Sequence, residues 1–301
     1  MAAVMEPGLT SVIVVTANSG PLAAQCIDRL LASSALLEVI VVDNASSDGQ
    51  VERIQSRFGG DARLRVLRNA DNVGFGPACN QAAKRAHGDW LLILNPDCLV
   101  EPETVSRLRE CAASLPQSGI LGVRAVSPDG RGDRASRRRD PSLRRALCSL
   151  SGLARFERRW PAFSGIEMPA LAEHVNTEVV DAVSGACLFV RRNAFEQIGG
   201  FDEEYFLHCE DLDLCRRMRS SGFDVIHVPS IVLRHEQGSS SHQRPLFVSR
   251  HKHRGMWRYF RKFDRAAKNP ILSGVVWCGI WSHYAILAPI LALKQKRRRR
   301  I

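Results

Sequence analysis

Short apolar, β-branched runs punctuate the first third of the chain at residues 11–16 (SVIVVT), 38–43 (EVIVVD), 64–68 (LRVLR) and 90–95 (WLLILN). Runs of this length, bounded by Gly, Asn, Asp and Ser, read as strands. Between them, apolar positions recur at helical spacing over about residues 20–34, 50–58 and 76–87. The order β-α-β-α-β-α-β predicts an α/β fold whose mainly parallel, Rossmann-like sheet is flanked by helices on both faces. Ligands bind such sheets beyond the carboxyl ends of the strands. Polar residues stand at those ends: Thr16 and Asn18 after the first run, Asp43-Asn44-Ala45-Ser46-Ser47-Asp48-Gly49 after the second, 69–76 after the third and Asn95-Pro96-Asp97 after the fourth.

From about residue 176 the pattern changes. It predicts a short strand at 186–190, a helix-like stretch at 191–198, a helix over 210–221 ended by Gly222, and two strands near 224–228 and 231–234. Residues 271–293 then carry no Lys, Arg, Asp or Glu, include Trp277, Trp281 and Tyr284, and have basic residues on both sides. That length spans a bilayer or lies along its surface. Ser282, His283 and Pro289 favour an embedded or re-entrant amphipathic anchor over a full span, and a buried core helix is the third reading. The chain thus divides into a catalytic body at 9–245 and a basic, helical, membrane-associating region at 246–301.

Charge sharpens this division. The 301 residues carry a net +11, yet residues 1–130 hold 11 basic against 14 acidic groups and residues 160–243 hold 6 against 13. The excess sits in three tracts: 131–159 with 10 basic and 3 acidic groups, 244–268 with 9 and 1, and 294–300 with 6 and none. A basic rim around an acidic body suits an anionic membrane surface. Nine cysteines without a CxxC pair fit a reducing compartment. The N-terminus lacks a basic n-region and breaks at Pro7-Gly8, so no secretory signal is expected.

Several residues at the predicted sheet edge carry chemistry. Asp43 ends its strand and can accept hydrogen bonds from a nucleobase or ribose hydroxyl, while Asn44, Ser46 and Asp48 also fit as turn formers and a helix N-cap. Asn72, Gly74 and Asn80 lie in DNVGFGPACN, where glycine allows close backbone approach or an ordinary helix entry. Gly74 and Gly76 do not open a GxGxxG fingerprint, because residue 79 is Cys, and this disfavours a dinucleotide site. Asp97 follows an apolar strand, where a carboxylate needs a proton, a cation or donors. His235 follows the last predicted strand and would add an imidazole, which suits manganese better than magnesium. Glu210, Asp211 and Asp213 open the 210–221 helix, where the macrodipole favours acids in any case. Leu212 and Leu214 turn that helix start inward, so Asp211 is the first candidate for general base, Glu210 the second, and Asp213 a partner for neighbouring backbone or a basic side chain.

The ordered strings SVIVVTANS, VIVVDNASSDG, NVGFGPACNQA, GDWLLILNPD, VSGACLFVRRNAFEQIGGFDEEYFLHCEDLDLCRRMRSSGFDV and LRHEQGSSS resemble glycosyltransferase family 2, the inverting enzymes of GT-A fold, across about residues 9–245. Among members the chain is most similar to dTDP-rhamnose-dependent rhamnosyltransferases that act on polyprenyl-diphosphate-linked sugars. The resemblance implies nucleotide contacts from Thr16, Asn18, Asp43 and Asp48, with Asn72 and Asn80 close to the donor. Asn44, Ser46, Gly74 and Asn95 complete the candidate nucleotide-sugar set. The resemblance further implies Asp211 as base, Asp97 as the metal-binding member of a DxD-type motif, His235 near the diphosphate, and a divalent cation, Mg2+ or Mn2+. Asn95 stands where the first Asp of that motif would be, which removes one charge from the cation site. The partners implied are a nucleotide-sugar donor, a polyprenyl-diphosphate-linked saccharide and an anionic membrane surface, at the cytoplasmic face of the inner membrane. Donors carrying UDP or GDP are the alternative within the family. A nucleic-acid-binding protein is the rival from another class, suggested by HKHRGMWRYFRKF at 251–263; the acidic body argues against it, and no nucleic-acid partner is expected.

Overall fold

The computed structural model describes residues 5–168, 176–236 and 244–298. The predicted alternation is present: β1 (Glu6–Thr16), α1 (Leu22–Leu31), β2 (Leu37–Asn44), α2 (Gln50–Phe58), β3 (Leu64–Asn69), α3 (Phe75–Ala83) and β4 (Gly88–Leu94). There follow β5 (Cys98–Leu99), α4 (Thr104–Ser114), β6 (Ser118–Val126), β7 (Arg137–Arg138), α5 (Leu143–Leu150), β8 (Glu178–Val179), β9 (Ala182–Val183), β10 (Cys187–Arg191) and α6 (Arg192–Gln197). The chain closes with α7 (Glu210–Ser220), β11 (Asp224–His235), α8 (Pro245–Phe263) and α9 (Pro270–Arg298).

The main sheet runs β3-β2-β1-β4-β10-β6-β11-β5, with β8 also on β11, and β7 pairs β9 in a separate ribbon. Strands β1 to β4 are parallel, while β10 inserts antiparallel between β4 and β6. Strand alternation sends Ile13, Val15, Ile40, Val42, Leu91 and Ile93 to one face, under α3 and α7. Val12, Val14, Val39, Val41, Leu92 and Leu94 go to the other, under α1 and α4. Burial on both faces explains why these strands read as continuous apolar runs.

Three elements differ from the sequence expectation. The two strands expected near 224–228 and 231–234 are one strand, β11, whose register against β6 slips between Val228 and Val232. Pro229 lies in that slip, and its missing N–H interrupts the ladder without ending the strand. Strand β6 was hidden by Gly119 and Gly122, which weaken a strand signal. Their lack of side chains is needed for packing, since a Cβ at Gly122 would stand 2.4 Å from Val183 Cβ and one at Gly119 2.6 Å from Met218 Sδ. The apolar segment is a single helix, α9, that continues through Pro289 and carries exposed Ile271, Val275, Trp277, Ile286, Ile290 and Leu293. It has no polar stripe, so the amphipathic expectation does not hold. Its most apolar 18-residue window has no buried residue, which removes the core-helix reading.

Helix α8 fastens α9 to the body. His253 and His283 share a hydrogen bond of 2.9 Å between α8 and α9. On the body side, Lys262 Nζ reaches Asp202 Oδ2 and Asp213 Oδ2 at 2.6 Å each, and Arg258 pairs with Asp202 at 2.8 Å. Asp213 is fully buried and also accepts from Arg217, the basic-partner role expected for it. Both cations reach solvent, so Asp213→Ala is expected to lower stability by about 2 kcal/mol, read as a lower midpoint in chemical denaturation, while Asp224→Ala at the half-buried start of β11 should shift it far less.

Candidate active site

Register places the first polar residues side by side. Thr16 is level with Asp43 across β1 and β2, and Asn44 with Asn69 across β2 and β3. The loops beyond them knit into one cradle. Asp43 Oδ1 accepts from the Ser46 N–H at 2.9 Å, Ser46 Oγ accepts from the Asn18 N–H at 3.0 Å, and Asn18 Oδ1 accepts from the Ser47 N–H at 2.8 Å. Asp48 accepts from the N–H of Gly20 at 2.9 Å and of Gln50 at 3.2 Å, and Thr16 Oγ1 donates to Ser19 Oγ at 3.0 Å. Asn18 and Ala45 both take φ of +56°, the left-handed turn conformation that lets the two loops face each other.

The third loop is held over this cradle. Asn44 Nδ2 donates to the Gly74 carbonyl at 3.0 Å and Asn72 Oδ1 accepts from the Gly74 N–H at 3.0 Å. Gly74 has φ of +96°, and a Cβ there would lie 2.7 Å from the Phe206 carbonyl. Only glycine fits that approach, which presses the loop onto the segment leading into α7. Asn80 is different. Its amide donates to the Phe201 carbonyl and Glu203, and accepts from the Phe201 N–H at 2.9 Å, so it fastens that same segment to α3.

The two halves of the site meet through Gly185 and Ala186. The Gly185 N–H donates to Asp211 Oδ2 at 3.0 Å, while the Ala186 carbonyl accepts from the Asn95 N–H at 3.0 Å and the Cys98 thiol at 3.4 Å. One pair of residues therefore sets Asp211 against the Asn95–Asp97 turn. His208 and Cys209, with φ of +67° and +70°, turn the chain sharply into α7. Consecutive left-handed non-glycine residues store strain, and here they aim the first carboxylates of the helix.

Asp211 is buried, and burial raises its pKa. The Arg138 guanidinium and the N–H groups of Gly185 and Leu212 outweigh that and hold the carboxyl below its ordinary value. Glu210 is pushed the other way, first by burial and then by the charge of Asp211, and its Oε2 has no hydrogen-bond partner among the described residues. Of the two candidates, Asp211 is the ionised one near neutrality.

Asp97 Oδ1 lies 3.3 Å from His235 Nε2. Two adjacent ligands on bonds of about 2.1 Å to one ion stand about 3 Å apart, so this pair fits a single divalent cation. Cys98 Sγ is within 4.8 Å of both, but its thiol donates to Ala186 and burial lifts its pKa well above the ordinary value. A carboxylate with an imidazole suits Mn2+ better than Mg2+. Asp133 Oδ2 stands 3.8 Å from the other ring nitrogen of His235. Burial alone would lower the His235 pKa, yet Asp133 and Asp97 hold it up at about 9.

Arg138, Asp133 and Gly185 were not singled out by the sequence. Arg138 sits in an arginine-rich tract where neighbours look alike, and only the pairing of β7 with β9 decides which guanidinium turns inward.

Residues 11–199 match glycosyl transferase family 2. The chain belongs to that family and is a glycosyltransferase. It is 30% identical over 274 residues to an N-acetylglucosaminyl-diphospho-decaprenol L-rhamnosyltransferase of Mycobacterium tuberculosis, covering 82% of this chain and 86% of that one. It is 34% identical over 95 residues to the Escherichia coli rhamnosyltransferase WbbL, 32% of this chain and 34% of that one. The fold is that of a mannosyltransferase from Pyrobaculum calidifontis solved with GDP-Man and Mn2+, at TM-score 0.57 and 18% identity over 98% of this chain and 76% of that one. It is also that of S. aureus TarS residues 1–349 solved with UDP-GlcNAc, at TM-score 0.56 and 15% identity over 95% and 87%.

Two outcomes follow for this family 2 enzyme. Arg138→Ala removes the charge that depresses the Asp211 pKa, so with Asp211 as the candidate base the acid limb of the kcat/KM profile is expected to move to higher pH. Should Asp97 and His235 hold a divalent cation, Asp133→Asn is expected to weaken that binding about 10–100-fold, as loss of a histidine-orienting partner does, measured by electron paramagnetic resonance titration with Mn2+ as the probe.

Proposed function

We propose that this glycosyltransferase moves L-rhamnose from dTDP-rhamnose to a polyprenyl-diphosphate-linked saccharide in cell-envelope polysaccharide synthesis. The observation that carries the reading is the link from the Asp211 carboxylate through Gly185 and Ala186 to Asn95 and Cys98, the residues on either side of the Asp97 turn, in a chain that matches the mycobacterial rhamnosyltransferase over most of both lengths. A base and a diphosphate-holding group must flank one sugar–phosphate bond, and this link gives them a common, rigid reference.

The cradle of Thr16, Asn18, Asp43, Asn44, Ser46 and Asp48 receives the nucleoside, with Asn72 and Gly74 closing over it. Asn95 and Asp97 lie where the diphosphate leaves the cradle. A divalent cation held by Asp97 and His235 would neutralise the charge of the diphosphate. Asp211 takes the proton of the acceptor hydroxyl as its oxygen attacks the anomeric carbon, and the bond to the nucleoside diphosphate breaks on the opposite side. Configuration inverts. Arg138 keeps Asp211 charged until attack, and Glu210 stands behind it as a neutral neighbour.

A lipid-linked acceptor demands a membrane, and α9 supplies contact with one. Its 27-residue span, at about 1.5 Å per residue, exceeds the roughly 30 Å hydrocarbon thickness, and basic residues stand at both ends. The enzyme is held there at the cytoplasmic face, with its basic rim against anionic lipid.

The test is a panel of dTDP-rhamnose, UDP-GlcNAc and GDP-mannose with polyprenyl-diphosphate N-acetylglucosamine as acceptor. Turnover is expected with dTDP-rhamnose, and Asp211→Asn should lower kcat about 10²–10⁴-fold while donor binding persists. Turnover confined to UDP- or GDP-sugars would overturn the donor assignment, and undiminished turnover by Asp211→Asn would remove the base.

A further inference from the structure

Helix α5 faces the wrong way for a soluble protein. Its apolar residues Leu143, Leu147 and Leu150 recur at four- and three-residue spacing on one side, and Leu147 and Leu150 are 57% and 73% exposed. The side turned to the body carries Cys148 and Arg145, the latter paired with Asp181. The segment after α5 continues the pattern with exposed Leu153, Phe156 and Trp160, interleaved with exposed Arg155, Arg158 and Arg159. Phe156 and Trp160 pack edge to face on each other, and Trp160 on Phe163, yet Leu153, Phe156 and Trp160 stay 39%, 39% and 52% exposed.

We propose that residues 143–163 form an arm that lies in the interfacial layer of an anionic bilayer, its leucines and aromatic rings among the acyl chains and its outward Arg155, Arg158 and Arg159 at the lipid phosphates. Three observations favour lipid over a protein partner. The arm carries five arginines against one glutamate, the complement of an anionic lipid surface. Exposed Trp and Leu with flanking arginines are the composition of interfacial helices. The arm also adjoins α9: the Leu143 N–H donates to Asp264 Oδ2 at 2.7 Å, on the turn that leads into that helix. At its foot lies an open cavity of about 520 Å³ lined by Arg144, Arg145 and Arg265 and by Asp140, Asp181 and Asp264.

The arm is built into the site. It leaves from β7, which carries Arg138, and returns to it, the Arg139 N–H donating to the Ile166 carbonyl at 2.8 Å and its guanidinium pairing with Glu157 at 2.9 Å. Lipid contact thus holds the mouth of the site at the membrane surface, where an acceptor diphosphate can reach it.

The inference rests on the membrane-anchored reading of α9, and the experiment separates the two. The full chain is placed in nanodiscs of phosphatidylcholine and phosphatidylglycerol with brominated acyl chains, and Trp160 emission is isolated as the difference from Trp160→Phe. Quenching by lipid bromine with protection from aqueous iodide is expected. A chain that stays in the nanodisc with Trp160 quenched by iodide alone overturns the arm and leaves α9, whereas a chain that leaves the nanodisc overturns both. Leu147→Glu/Leu150→Glu, at exposed positions, should raise KM for the lipid-linked acceptor at least tenfold, with kcat and the donor KM unchanged. An unchanged acceptor KM, or a dimer that buries the arm in detergent, contradicts the proposal.

Discussion

Asp211 keeps its charge inside the protein because Arg138, Gly185 and the first peptide of α7 converge on its oxygens. An unpaired carboxylate there would take up a proton, as Glu210 beside it is driven to do. Much of the surrounding architecture serves that convergence. The ribbon of β7 and β9 delivers Arg138, the approach to β10 delivers Gly185, and the strained turn at His208 and Cys209 delivers α7. Gly255 of α8 lets that turn pack closely, since a Cβ there would stand 2.7 Å from the His208 carbonyl.

The nucleotide half of the site obeys a simpler constraint. Parallel strands in register end together, so Thr16, Asp43 and Asn69 share one edge whatever their loops do. Side-chain caps then tie the loops to one another. That preorganisation limits the ordering cost of binding a flexible nucleotide sugar, and the close approach of Gly74 to Phe206 couples the nucleotide cradle to the segment entering α7.

Strands and helices of the first half were legible because burial on both sheet faces writes long apolar runs, and ligand edges follow from topology. Asp97, His235, Glu210 and Asp211 were legible as carboxylates and an imidazole standing at ends of apolar elements. Arg138 and Asp133 were not, since their meaning depends on a two-residue ribbon with no periodicity of its own. Strand β6 was masked by glycines that the packing of Val183 and Met218 requires, and Pro229 made one strand look like two. Asn80 read as a donor contact, yet its amide is committed to Phe201 and Glu203, a distinction that spacing alone does not carry. The arginine-rich tract read as one basic surface, whereas it divides into inward guanidinium groups at Arg137 and Arg138 and outward ones beyond Arg144.

On the proposed reading that division links catalysis to location: the acidic body would hold the sugar-transfer site, and basic segments with α9 would tie it to lipid. The central claim is that a nucleotide sugar lies between Asp97 and Asp211 with its base over Asp43. A structure of the full chain with Mn2+ and dTDP tests it most directly. The account expects the Mn2+ anomalous peak within bonding distance of Asp97 and His235, the diphosphate beside it, and Asp211 facing the terminal phosphate across the space a sugar would fill. A nucleotide bound away from Asp43, or an Asp211 shielded from the diphosphate by the body of the protein, would contradict it.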